Sequence, residues 1–218
     1  MDLAERTIVR DGLTIGVAVG VIGMSFGVLA ASKGISTAMA CGMSLFIFAG
    51  GSQFVLASAA GTSLATAVAA ALLLNLRHVA YGLSVASSVR GRVPARLASS
   101  YLVVDESTAY SLSRPTPRLS RRGFYTVGIL LFGFWQVGTL IGALAGGAIG
   151  DPKRYGIDTA LPAALLAMLW PQLESRRACV AAVCGSLIAV GLTPVLRPGL
   201  PIMLATFGVV LALAVDRR

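Results

Sequence analysis

Leu72-Leu73-Leu74-Asn75-Leu76-Arg77-His78-Val79-Ala80-Tyr81-Gly82 lies near the middle of an apolar run from about Thr62 to Val89. A run of that length reads as a membrane-spanning helix. At its centre stand Asn75, Arg77 and His78, the only histidine of the chain. A cation at the middle of a membrane costs roughly 2.5–3.5 kcal/mol on insertion scales. Such groups face a bundle interior or a water-filled cavity and pair with something there. One reading is a structural ion pair, or an arginine that snorkels to the interface. The other, which the sequence favours, is a substrate or proton site.

The rest of the chain has the same character. Of 218 residues 56% are hydrophobic and 12% charged, with a mean hydropathy of +0.82. That composition predicts an all-α polytopic membrane protein. The apolar runs are continuous and do not alternate, which argues against a β-barrel. The net charge of +9 sits in short loops, where it sets orientation and does not imply nucleic acid. Cys41, Cys179 and Cys184 stand in apolar surroundings and read as packing residues, so neither a metal site nor a cofactor is expected. The first apolar stretch lacks a small-residue cleavage site and should remain as a span.

That first span, from about Gly12 to Ala31, carries Gly12, Gly16, Gly20, Gly23 and Gly27 on one helix stripe. Small residues on one stripe let a second backbone come close. A second span is expected from about Ile35 to Ala60, weakened at Gly50-Gly51 and followed by Ser52 and Gln53. Two readings of that weak point stand side by side: a discontinuous helix whose freed backbone groups meet a ligand, or a simple packed kink. After the Arg77 span, Ser99 to Ser113 holds Asp105-Glu106 and is too short and acidic for a span; it would re-enter or lie at the interface. Further spans are expected at about 124–149, 157–173, 178–192 and up to 215, making about seven, some of them broken.

A shift of about 122 positions places Gly16 and Gly20 on Gly138 and Gly142, and Gly34-Ile35-Ser36-Thr37-Ala38 on Gly156-Ile157-Asp158-Thr159-Ala160. One transporter domain of residues 1–218, built from repeats at 11–113 and 123–216, is the expectation. With the N-terminus outside and seven spans, twelve Lys and Arg fall on the cytoplasmic side and five outside. An odd number of spans in the first half would invert the second.

Phe48-Ala49-Gly50-Gly51-Ser52-Gln53-Phe54, Arg77-His78-Val79-Ala80-Tyr81-Gly82, Asp105-Glu106 and Gly138-Thr139-Leu140-Ile141-Gly142-Ala143 together resemble the AzlC family. These are the large subunits of bacterial branched-chain amino acid exporters, and the motifs keep their order over nearly the whole chain. The resemblance implies a multi-pass permease of the bacterial plasma (inner) membrane that exports valine, leucine or isoleucine. It also implies a small hydrophobic AzlD-type partner subunit. Some relatives carry an acid where this chain has Asn75, so no carboxylate role is carried over to that position.

The expected machinery follows. Arg77 would hold the substrate carboxylate, and Asp105 or Glu106 the amine or a coupling proton. His78 would relay a proton, its ordinary pKa lying near neutral. Ser52, Gln53 and the backbone at Gly50-Gly51, with Asn75 nearby, would complete the site. Two other classes remain. One is an intramembrane serine hydrolase using Ser52 and His78, supported by a Gly-x-Ser alone, with Gln53 standing where a glycine belongs. The other is a non-transporting structural or sensory subunit. No Gly-Lys-Ser/Thr phosphate loop occurs in the chain.

Overall fold

The computed structural model describes residues 3–58, 64–89, 91–149, 159, 166, 169–170, 173–196 and 200–215. Among them every regular element is a helix. Three helices are long and apolar enough to cross a membrane: Leu3–Ser32 (α1), Ala67–Ser84, and Pro117–Gly147 within Pro117–Ile149 (α8). The middle one comprises Leu64–Asn75 (α4) and Arg77–Ser84 (α5), joined at Leu76. The expected count of seven spans is not reached on this measure. The expected span at 157–173 lies almost wholly outside the described residues.

The glycine stripe of α1 does what its spacing predicts. Its glycines face α8 in order, Gly12 against Val127 and Leu130, Gly16 against Phe134, Gly23 against Trp135, and Gly27 against Thr139 and Gly142. The answering glycines of α8, Gly138 and Gly142, lie on the carbonyls of Gly20 and Met24, so close that a Cβ would collide with backbone. Low indices on α1 meet low indices on α8, so the two helices run parallel. At their common start Glu5, 7% exposed, receives Arg118 (3.2 Å) and Arg122 (2.7 Å).

This corrects two expectations. The N-terminus and the Arg118–Arg122 turn lie at one end of the bundle, whereas opposite ends were expected. The helices equated by the 122-position shift are parallel, not inverted.

The reason lies between them. Thr37–Ile47 (α2) starts beside the end of α1, capped by the Ser36 hydroxyl on Met39 N (3.3 Å). It descends along α8, with Ser44 at Thr139 and Phe48 against Phe132 (5.1 Å between rings). The chain then turns at Phe48, whose φ of 36° is left-handed. Such a conformation costs an L-residue roughly 1–2 kcal/mol; packing of the Phe48 ring on Phe132 and Tyr101 holds it. Gly50–Ser58 (α3) runs back the way α2 came. Gln53 Nε2 reaches Ser44 Oγ at 2.9 Å, nine residues earlier. In a straight helix they would lie about 13 Å apart along the axis. Residues 35–58 therefore form a re-entrant hairpin and do not span.

Val93–Ser100 (α6) and Asp105–Leu112 (α7) form a second hairpin from the opposite end. Ser99 meets Tyr125 (2.8 Å), Tyr101 reaches the Leu45 carbonyl at mid-depth, and Ser111 returns to Ser120 (2.9 Å) at the start of α8. Ser99–Ser113 thus doubles back along the start of α8 and is not one continuous helix.

The hairpins repeat each other 55 positions apart. Gly50 and Asp105 both open the returning helix. Gln53 N donates to Ala49 O (3.1 Å) as Thr108 N does to Val104 O (3.0 Å). Ser52 Oγ donates to Ala49 O (2.8 Å) as Ser107 Oγ does to Val104 O (3.2 Å). Ser44 and Ser99 each bind an α8 side chain. Beyond α8, Arg176–Leu192 (α9), Leu200–Ala205 (α10) and Phe207–Val215 (α11) follow, with Gly208 of α11 laid on Gly185 and Ala181 of α9. The break expected at Thr193–Pro198 falls partly outside the described residues; Thr193 still donates to Ala189 O (2.7 Å).

Candidate functional site

The two hairpin tips and the α4–α5 junction meet at one cavity of about 80 Å³. At roughly 10–15 Å³ of this measure per water, the space equals several waters. Gly50 and Gly51 of α3, Arg77 and His78 of α5, and Asp105 and Glu106 of α7 line one side. Val19, Ile22, Phe48, Phe54, Leu131 and Trp135 line the other.

Local backbone physics places the polar side. At Leu76 the helix tightens by one turn of three-residue bonds, Leu76 N to Leu73 O (3.2 Å) and Val79 N to Leu76 O (3.0 Å). That frees the Asn75 carbonyl, which His78 Nδ1 engages at 3.0 Å; this bond requires the Nδ1–H form of the ring. Arg77 is thereby turned toward Asp105, with a guanidinium nitrogen 2.9 Å from Oδ2. Tyr81, one turn on, donates to the other oxygen, Oδ1, at 2.6 Å. Asp105 is thus held by two side chains of one helix. Glu106 has no salt bridge among the described residues and faces the cavity.

Helix starts supply the remaining polarity. The first N–H groups of an α-helix have no intrahelical acceptor, and together with the helix dipole they favour an anion. In α3 those are Gly50, Gly51 and Ser52, since Gln53 makes the first helix bond. A Cβ on Gly51 would lie 3.7 Å from an Arg77 guanidinium nitrogen, so the bare backbone and that cation share one corner. In α7 the equivalent start carries Asp105 and Glu106 instead.

Of the expected site residues, Gly50, Gly51, Arg77, His78, Asp105 and Glu106 line this cavity. Ser52 and Gln53 do not. Ser52 is fully buried on the Ala49 carbonyl, and Gln53 is fully buried on Ser44; both hold the hairpin turn together. Asn75 lines a neighbouring open groove that also touches His78, and its Oδ1 is buried without a hydrogen bond. Ser52 and His78, offered as a hydrolase pair, each bond to a backbone carbonyl and not to one another.

Sequence reasoning missed the polar knot beside the cavity. Ser44 Oγ accepts from Gln53 Nε2 (2.9 Å) and Trp135 Nε1 (3.2 Å), and lies 2.8 Å from Thr139 Oγ1. With both lone pairs used, the Ser44 hydroxyl must donate to Thr139. Gln136 Nε2 adds a bond to the Ser44 carbonyl (2.9 Å). Tyr81 was also missed, although it stands in the opening motif. A lone hydroxyl in an apolar helix, as at Ser44, gives little sign of its partners; Gly138-Thr139 and Trp135-Gln136 were the visible hints.

Comparison with known proteins places this geometry. Residues 14–149 match the family described as AzlC protein, a stretch that contains both hairpins and the cavity. An uncharacterized membrane protein of Archaeoglobus fulgidus is 34% identical over 172 residues, covering 77% of this chain and 75% of that protein. Inner membrane protein YgaZ of Escherichia coli is 31% identical over 199 residues, covering 84% and 80%. Branched-chain amino acid transport protein AzlC of Bacillus subtilis is 26% identical over 200 residues, covering 88% and 78%. No solved structure matches the chain.

Proposed function

The chain belongs to the AzlC family, and on that premise we propose that it is a secondary transporter exporting small apolar, branched-chain amino acids across a bacterial inner membrane. One observation carries the reading: two equivalent helix starts face one cavity, one bare at Gly50-Gly51, the other acidic at Asp105-Glu106. With Arg77 beside the bare start, the pair offers an anion pole and a cation pole. A zwitterion fits that polarity, and Val19, Ile22 and Leu131 accept an aliphatic side chain. The name of the Bacillus subtilis relative agrees with this class of substrate.

The substrate carboxylate binds Arg77 and the Gly50-Gly51 N–H groups. Its ammonium binds Glu106. Asp105, released from Arg77 as the carboxylate arrives, takes up the coupling proton, and His78 relays it between the cavity and the groove at Asn75. Export against a tenfold gradient needs about 1.4 kcal/mol. One charge entering down a 100 mV potential supplies about 2.3 kcal/mol. One proton per zwitterion therefore suffices.

The end that holds the N-terminus carries Arg6, Arg10, Arg92, Arg96, Arg114, Arg118, Arg121 and Arg122, against Lys33 at the other end of α1. The positive-inside rule makes the former cytoplasmic. A small AzlD-type membrane subunit assembles with the chain. The test is counterflow of labelled leucine or valine in liposomes, with and without the co-expressed small subunit. Exchange is expected, with loss in Arg77→Ala. Absence of exchange in both preparations refutes the function. Efflux from cells unchanged by a protonophore refutes proton coupling alone.

A further inference from the structure

Trp135 is the rigid feature of the cavity's apolar side. It is 4% exposed and fixed on three sides: its Nε1 donates to Ser44, its ring stacks on Phe26 (6.3 Å, 18°), and its benzo edge faces Gly50. Phe54 closes on Phe26 edge-on at 5.6 Å, backing the stack. A Cβ on Gly50 would lie 2.9 Å from Trp135 Cη2 and 3.3 Å from Cζ3. The hairpin tip is therefore in direct contact with the indole edge, with no room for a methyl group between them. Gly51, the next residue, faces Arg77 instead. Arg77 and Trp135 line the same cavity, so a ligand whose carboxylate sits at Gly51 and Arg77 has the indole edge, seated on Gly50, among its apolar walls.

We propose that Trp135 and Gly50 together set the size of the side chain accepted: the indole edge is the end wall, and the absent Cβ of Gly50 lets that edge sit back against the hairpin tip. This rests on the amino acid reading above and deepens it. It makes the two residues reciprocal. Shortening the wall admits longer side chains; a Cβ at Gly50, which would overlap the indole edge, drives the wall into the cavity and excludes the ones now accepted. One methylene in an apolar pocket is worth roughly 10–200-fold in discrimination.

The experiment is leucine, alanine and phenylalanine counterflow by the full chain in liposomes, for wild type, Trp135→Phe, Trp135→Leu and Gly50→Ala. Ratios between substrates within one preparation are read, so differences in yield cancel. Trp135→Phe keeps an aromatic ring against Phe26 and guards against a variant that simply fails to fold. The phenylalanine-to-leucine ratio is expected to rise about tenfold in at least one Trp135 variant. The leucine-to-alanine ratio is expected to fall by a similar factor in Gly50→Ala. Both ratios unchanged, with wild-type leucine exchange intact, overturn the size filter and leave the transport reading standing. No exchange of any amino acid by wild type overturns both.

Discussion

Ser44→Ala removes one oxygen and strands two donors. Gln53 Nε2 and Trp135 Nε1 both end on Ser44 Oγ, at 2.9 and 3.2 Å, in a site where Ser44 and Gln53 are fully buried and Trp135 nearly so. A buried donor left without an acceptor costs about 1–3 kcal/mol, so the pair costs roughly 2–6 kcal/mol. For a chain of this size each kcal/mol moves a thermal midpoint by about 2–4 °C. Ser44→Ala should therefore melt roughly 5–20 °C below wild type in a fluorescence scan of the detergent-solubilised protein. Thr139→Ala leaves only the Ser44 hydroxyl hydrogen without its acceptor, a loss of about 1–3 kcal/mol. The double variant should melt close to Ser44→Ala, because both changes act on one network. A Ser44→Ala midpoint within about 2 °C of wild type would mean that those donors have other acceptors, and the account of the hairpin's anchor would be wrong.

Arg77→Leu leaves Asp105 in the cavity without its cation and should destabilise by about 3 kcal/mol, the low end for a buried pair because the side chains keep 30% and 21% exposure. Arg77→Leu with Asp105→Leu should recover stability in the same melting assay without recovering transport; equal damage in the single and double variants contradicts the pairing. Cysteines at Thr7 and Ser113 should react with a membrane-impermeant thiol reagent from the same face, and one at Lys33 from the other, in a variant lacking the native cysteines; labelling of Thr7 and Ser113 from opposite faces refutes the parallel arrangement of α1 and α8. Gly142→Leu drives a side chain into the Met24 backbone and should prevent accumulation of folded protein, whereas the same change at Gly147, whose Cβ direction is open, should be tolerated; size-exclusion profiles distinguish the two.

The helical membrane class was legible because nothing but a bilayer accommodates such composition. The α1 seam was legible because five glycines at helical spacing permit few other uses. The pairing of Arg77 with an acid could be reached by elimination, since Asp105 and Glu106 are the only acids between Lys33 and the start of α8. What failed was the distinction between a span and a hairpin. Residues 35–60 are mostly apolar, and a hairpin inside a protein has the same composition as a helix that crosses. Gly50-Gly51 marked the weak point, but that the chain reverses there through a left-handed Phe48 leaves no mark in sequence. Counting that stretch as a crossing reversed the side of everything after it, which is why the N-terminus and the Arg118–Arg122 turn were expected at opposite ends. Ser52 and Gln53 were placed in the site for their polarity, but a turn that deep must satisfy its own carbonyls first, and both side chains are used for that.

The place of α8 in the chain bears on how the protein is made. Both hairpins are synthesised before it, yet Ser44 finds Thr139 and Trp135 there, and Ser99 finds Tyr125. Until residue 139 emerges, two polar-tipped hairpins and an arginine wait beside a single glycine-faced helix. A nascent chain halted near residue 116 thus holds the interior of the finished molecule with no wall to lean on. Completion of α8 through Thr139 supplies the partners those polar groups meet.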